Sequence, residues 1–92
     1  MSRLIFSRAA VRDLLRLRDF IAEKSPQAAT RISQRLHVSL QHLAEHPELG
    51  YPVDEALSIR EFITGDYTTH YHYRDDDNTV TILRIWHGKE DH

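Results

Sequence analysis

The chain has no cysteine, so disulfide and thiol chemistry are excluded and a reducing, cytoplasmic home is the expectation. It has no apolar run of about 18 residues, the length a membrane-spanning helix needs. The opening "MSRLIFSRAA" has too short an apolar stretch for a signal peptide. No P-loop, GxGxxG or Ser/His/Asp order occurs, which removes the common nucleotide-binding and serine-hydrolase patterns. There is no excess of basic charge either: 12 Lys/Arg stand against 14 Asp/Glu, for a net charge of −2. A protein whose main work is gripping RNA or DNA usually carries a basic surface, so that class is disfavoured.

What is present suits one soluble domain spanning residues 1–92, with 40 % apolar and 28 % charged residues. The charge is unevenly divided. Residues 1–42 hold eight Lys/Arg against three Asp/Glu, and residues 43–92 hold four against eleven. A basic patch on the first half therefore coexists with an acidic second half.

Residues 3–6 form a short apolar strand. Ser7 is a good N-cap, because its hydroxyl can accept a free amide of the first helical turn. Ala10, Leu14, Leu17 and Ile21 recur at helical spacing to about Glu23, with Arg8, Arg12 and Arg16 on a neighbouring stripe. "KSPQ" stops this helix and starts another: Ser25 caps, and Pro26 suits the first helical position. Ala29, Ile32, Leu36, Leu40 and Leu43 continue to about Glu45, where Pro47 and Gly50 end the helix. So short a link makes an antiparallel helical hairpin.

Residues 46–58 are expected to be an irregular connector with two prolines. Three strands follow: "IREFIT", then "YTTHYHYR" after a Gly65-Asp66 turn of the II′ kind, then "TVTILRIWH" after the polar "DDDN". The fold class is α+β, in the order β-α-α-β-β-β, with the helical hairpin on one face of a small, mainly antiparallel sheet.

The turns predict register. Pairing outward from each puts Arg60, Phe62, Tyr67, Tyr71, Tyr73, Val80, Ile82, Arg84 and Trp86 on one face. Ile59, Glu61, Ile63, Thr68, His70, His72, Leu83, Ile85 and His87 fall on the other. The first face is richer in large apolar groups and is expected to meet the helices. Arg84 there needs a carboxylate, since an unpaired buried charge is costly, and Asp13 or Asp19 is the expected partner.

Several constellations invite chemistry. "HLAEH", His42 to His46, matches the inverted zinc-protease motif. The helix stops at once, no third ligand is evident, and histidines in a last turn also suit the helix dipole, so no metal is expected there. His70, His72 and His87 cannot share an ion, because the expected register separates His70 from His87 by roughly 13 Å. Glu61 is expected opposite His70, an acid–base pair in one reading and a surface cross-strand pair in the plainer one. His87 ends a strand beside Gly88 and is either catalytic or structural. "DDD" at 75–77 is a solvated turn.

Four segments, "FSRAAVRDLLRLRDFIAEKSPQAA", "LAEHPELGYPV", "IREFITGDYTTHYHY" and "VTILRIWHGKED", together resemble the ParE branch of the RelE/ParE toxin superfamily, the plasmid-stabilisation toxins of bacterial toxin–antitoxin pairs. The resemblance implies the fold just described, no cofactor, and a cognate antitoxin whose extended segment folds on binding. It also implies one of two activities. RelE-like members are ribosome-dependent mRNA endonucleases, whereas ParE-like members poison DNA gyrase without catalytic residues of their own. Where the nucleases carry basic residues, this chain has Ile59, Glu61, Thr68 and Glu90. His87 and nearby Lys89 keep the nuclease alternative open, with the Glu61–His70 pair in support.

The expectation is therefore a ParE-like toxin that acts by binding, with Arg12, Arg16, Arg31, Arg35, Arg84 and Trp86 on its contact surfaces. A solvated helix face is the plainer account of the helical arginines. The alternatives are a nuclease acting on the ribosome and its mRNA, and a non-toxic member that binds only antitoxin. A homodimer or a two-plus-two complex with antitoxin is compatible with each.

Overall fold

The computed structural model describes residues 2–88, and its order of elements follows from the signals above with two additions, a 3₁₀ turn and an edge strand. Strand β1 (Arg3–Phe6) leads into helices α1 (Arg8–Ala22) and α2 (Pro26–Glu45). A single 3₁₀ turn, Pro47–Leu49, precedes strands β2 (Tyr51–Asp54), β3 (Ile59–Thr64), β4 (Tyr67–Arg74) and β5 (Thr79–His87). The sheet order is β1-β5-β4-β3-β2, antiparallel except where β1 runs parallel to β5.

Both helices start as their caps dictate. The Ser7 Oγ accepts the Ala10 amide at 3.0 Å and donates to the Leu83 carbonyl at 2.9 Å, tying the helix start to β5. The Ser25 Oγ accepts the Ala28 amide at 3.2 Å, with Pro26 in the first turn. Ala10 and Leu17 of α1 and Leu36, Leu40 and Leu43 of α2 close over Tyr71, Val80, Ile82 and Ile85 of the sheet. Each large side chain fully buried there contributes roughly 1.5–3 kcal/mol.

The turns form as predicted. Gly65 has φ +58° while Asp66 does not enter the positive region, the II′ pattern. Asn78 takes φ +53°, which asparagine tolerates, and its Oδ1 accepts from Ser2 Oγ and Tyr73 Oη. Around these turns Phe62 pairs with Thr69, Tyr71 with Ile82 and Arg74 with Thr79, as expected.

Two expectations need correction. The connector is not irregular throughout, because Tyr51–Asp54 adds an edge strand to β3. Proline lacks an amide donor and is tolerated at a sheet edge, which is where Pro52 sits. The second correction is a bulge in β5. Tyr71 pairs with Ile82 but His70 pairs with Arg84, so Leu83 is an extra residue. One extra residue inverts every later side chain. Tyr67 therefore stands opposite His87, not Trp86; Ile85 and His87 turn to the helices, and Arg84 and Trp86 to the outer face.

Tyr71 ties the new edge strand to the core. Its buried hydroxyl accepts the Gly50 amide at 2.9 Å and donates to the Pro47 carbonyl, and burial raises its pKa. A Cβ on Gly50 would lie 2.6 Å from the Tyr71 ring and 2.8 Å from the Glu61 carbonyl, so the constraint is space and not backbone conformation. Gly50→Ala should lower stability by roughly 1–3 kcal/mol, measured by urea denaturation.

Candidate functional site

Strand β1 ends at Phe6, opposite Ile82, so the rest of β5 has no strand on that side. Side chains of α1 take over its hydrogen bonds. The Ile85 amide donates to Asp13 Oδ2 at 2.8 Å, and Arg16 donates to the Ile85 carbonyl at 3.1 Å. Arg84 reaches the same carboxylate, from Nε at 2.8 Å and from Nη2 at 3.2 Å, and Arg16 bonds its other oxygen. Asp13 is 2 % exposed, so the carboxylate survives burial only because these donors surround it. The expected Arg84–Asp13 pair is thus present, although Arg84 lies outward and its side chain stays about half exposed.

The outer face is built around Glu61, His70 and Trp86. Glu61 Oε1 is 2.9 Å from His70 Nε2, and the Trp86 ring meets the His70 ring edge-on with centroids 4.7 Å apart. Ile59 and Thr68 share this face by register. Among the described residues its arginines are Arg3 on β1, Arg74 beside Asp77, and Arg84, which stands opposite His70 across the ladder and is bonded to Asp13. No two of them converge on a histidine.

His87, expected on that face, lies on the opposite one. Its ring packs edge-on against Tyr67 at 5.0 Å and tilted against Phe20 at 5.7 Å, with Nε2 3.8 Å from Asp66 Oδ2. His70 and His87 are therefore separated by the sheet itself. Lys89 and Glu90 lie outside the described residues.

Arg12, Arg31 and Arg35 are exposed on the helices, as a binding or solvated face requires. A feature that sequence reasoning missed lies between the helices: an apolar trench of about 240 Å³ lined by Leu14, Leu15, Ile21, Ile32, Leu36 and Tyr67. Leu15, 55 % exposed beside the inward Leu14, was its sequence signal, an apolar residue off the core stripe.

The family described as "ParE toxin of type II toxin-antitoxin system, parDE" matches residues 4–92. The chain belongs to this toxin family. Toxin RelE2 of Caulobacter vibrioides is 35 % identical over 96 % of this chain and 97 % of its own length. Among solved structures, the RelBE2 toxin–antitoxin complex of Mycobacterium tuberculosis superposes with a TM-score of 0.69 at 25 % identity, covering 94 % of this chain and 96 % of the other. The chromosomal ParDE system of P. aeruginosa gives 0.73 at 21 % identity, covering 95 % and 96 %, which is likeness of fold. The protein is the toxin of a toxin–antitoxin system, built as two helices on a five-stranded sheet. Among its described residues no helix is long and apolar enough to cross a membrane.

Asp13 couples the stability of this site to pH. Burial alone would raise its pKa, but the bonds from Arg84, the Ile85 amide and Arg16 outweigh burial and hold it below the usual carboxylate range. A depressed folded pKa contributes stability that is fully present above the unfolded pKa, near pH 4, and is lost as pH falls through the folded value. Asp13→Ala should cost about 2–4 kcal/mol, because Ile85 loses its acceptor while the half-exposed arginines can return to water. Asp13→Asn should flatten the acid side of a stability–pH profile measured by chemical denaturation.

Proposed function

We propose that this toxin acts by docking on a protein target, with DNA gyrase as the target and a cognate antitoxin as its inhibitor. One observation carries the reading: the middle of the outer face holds a Glu61–His70 pair under Trp86, not a cluster of cations. Cutting RNA by attack of its 2′-OH requires groups that move a proton and steady added negative charge on phosphate. A carboxylate at the centre repels phosphate, and His87 is packed between Tyr67 and Phe20 instead of facing the open side. The exposed Arg12, Arg31 and Arg35 provide a basic helical layer for a protein surface of opposite charge. Arg16 and Arg84 hold Asp13 with part of their guanidinium groups and border the same layer.

The antitoxin reading is supported by the family's own description and by the complexes among the structural neighbours. Such a partner is expected as a segment that orders on binding, in a toxin–antitoxin assembly or beside a toxin homodimer. A second activity has two observations in its favour: Glu61 and His70 are within hydrogen-bond distance, and a relative bears the name RelE2. In that alternative they shuttle the proton during mRNA cleavage on the ribosome, assisted by His87 and Lys89.

Purified toxin should inhibit supercoiling by gyrase and leave messenger RNA intact in a translation extract. Cleaved mRNA that becomes intact with His70→Ala or Glu61→Gln would transfer the assignment to the nuclease. Arg12→Glu combined with Arg31→Glu should weaken gyrase inhibition at least about tenfold if the helical layer is the contact, since like charges across an interface cost several kcal/mol.

A further inference from the structure

The H-x-x-E-H run at the end of α2 has no part in the surfaces above. One ligand atom each from His42, Glu45 and His46 can be chosen so that all lie within 4.8 Å of one another. The two imidazole centroids are 4.9 Å apart and tilted by 60°. The backbone imposes this spacing. The His46 amide still donates to the His42 carbonyl at 3.0 Å, so the helical i, i+4 relation persists up to the cap. All three residues are exposed and open to an ion from solvent.

The surroundings favour a cation. The C-terminal end of a helix carries partial negative charge. Residues 36–59 contain no lysine or arginine. Glu48 Oε1 lies 3.8 Å from His46 Nδ1 and adds negative charge beside the site.

We propose that His42, Glu45 and His46 form a surface site for a divalent ion of the zinc class. Two imidazoles and one carboxylate suit Zn²⁺, Ni²⁺ or Cu²⁺, whereas Ca²⁺ and Mg²⁺ require oxygen sets. A zinc protease needs a third ligand from elsewhere and a cleft; a binding site needs only the chelating turn. Three ligands from one turn leave coordination positions for water. The ion staples the last turn of α2, beside the Ala44 carbonyl that accepts the Ser2 amide and the Pro47 carbonyl that accepts the Tyr71 hydroxyl.

Calorimetric titration of the full chain with Zn²⁺, and separately with Ni²⁺, should give one ion per chain. His42→Ala and His46→Ala should each abolish binding, Glu45→Gln should weaken it, and His37→Ala, an exposed histidine elsewhere on α2, should leave it unchanged. At a hundredfold excess over Kd the melting temperature should rise by roughly 10 °C, and not in His42→Ala. All four side chains are exposed, so folding of the variants is checked by circular dichroism. No saturable binding up to about 1 mM ion, or binding that persists in the His42→Ala/His46→Ala double variant, would overturn the site.

Discussion

The structure depends on a buried carboxylate that finishes a sheet its own strand leaves unfinished. β1 is four residues long and β5 is nine, so more than half of β5 would expose a bare edge on that side. Unpaired backbone groups beneath a helix are expensive, and bare edges invite wrong partners. Asp13 accepts the Ile85 amide and Arg16 donates to its carbonyl, so two α1 side chains replace the missing strand. The arrangement fixes the helix along the strand, because a helix shifted by one residue would present Arg12 or Leu14 to the edge. The charge of Asp13 is held in turn by Arg84 from the same strand. Helix, edge and strand are thus joined through one carboxylate.

That junction sits where β5 changes phase. Up to Ile82 the strand obeys the register set by its turn; beyond the extra Leu83, Ile85 and His87 take the inward positions. Without the bulge, Arg84 and Trp86 would face the helices and Ile85 would be given to solvent. Burying isoleucine and releasing arginine is favoured by both the hydrophobic effect and the cost of burying charge. The Ser7 hydroxyl takes the Leu83 carbonyl, so the backbone group displaced by the bulge keeps a partner.

Most of the architecture was legible because local signals agreed with one another. Ser7, Ser25 and Pro26 set the helix starts, Gly65 and Asn78 set the turns, and the apolar spacing named the core residues of both helices. A carboxylate partner for Arg84, Asp13 or Asp19, was expected because the arginine was placed towards the helices; Asp13 is the partner although Arg84 lies outward. The bulge was not, because turn chemistry fixes register only as far as the ladder is continuous. A warning was nevertheless present: strict alternation placed an arginine in the core and an isoleucine outside it, a conflict that one inserted residue resolves. The edge strand at Tyr51 was hidden by Pro52, since proline argues against a central strand but not against an edge. The trench between the helices was invisible to a reading that gave each helix a single apolar stripe.

The proposed reading by binding leans on the same inserted residue. In an unbroken ladder His87 would project to the outer face with His70 and Glu61, and three proton-carrying groups would share one surface. With Leu83 inserted, His87 becomes a packing group between Tyr67 and Phe20, and the outer face retains one hydrogen-bonded pair whose histidine meets the Trp86 indole edge-on. Arg84, which could have stabilised an anion on that face, is committed in part to Asp13, whose burial the sheet edge requires. A cation engaged in holding the fold offers less of its charge to a phosphate than one held only by solvent. The demand of the edge for a carboxylate, and of the carboxylate for arginine, therefore engages part of the guanidinium that the bulge brings to the outer face.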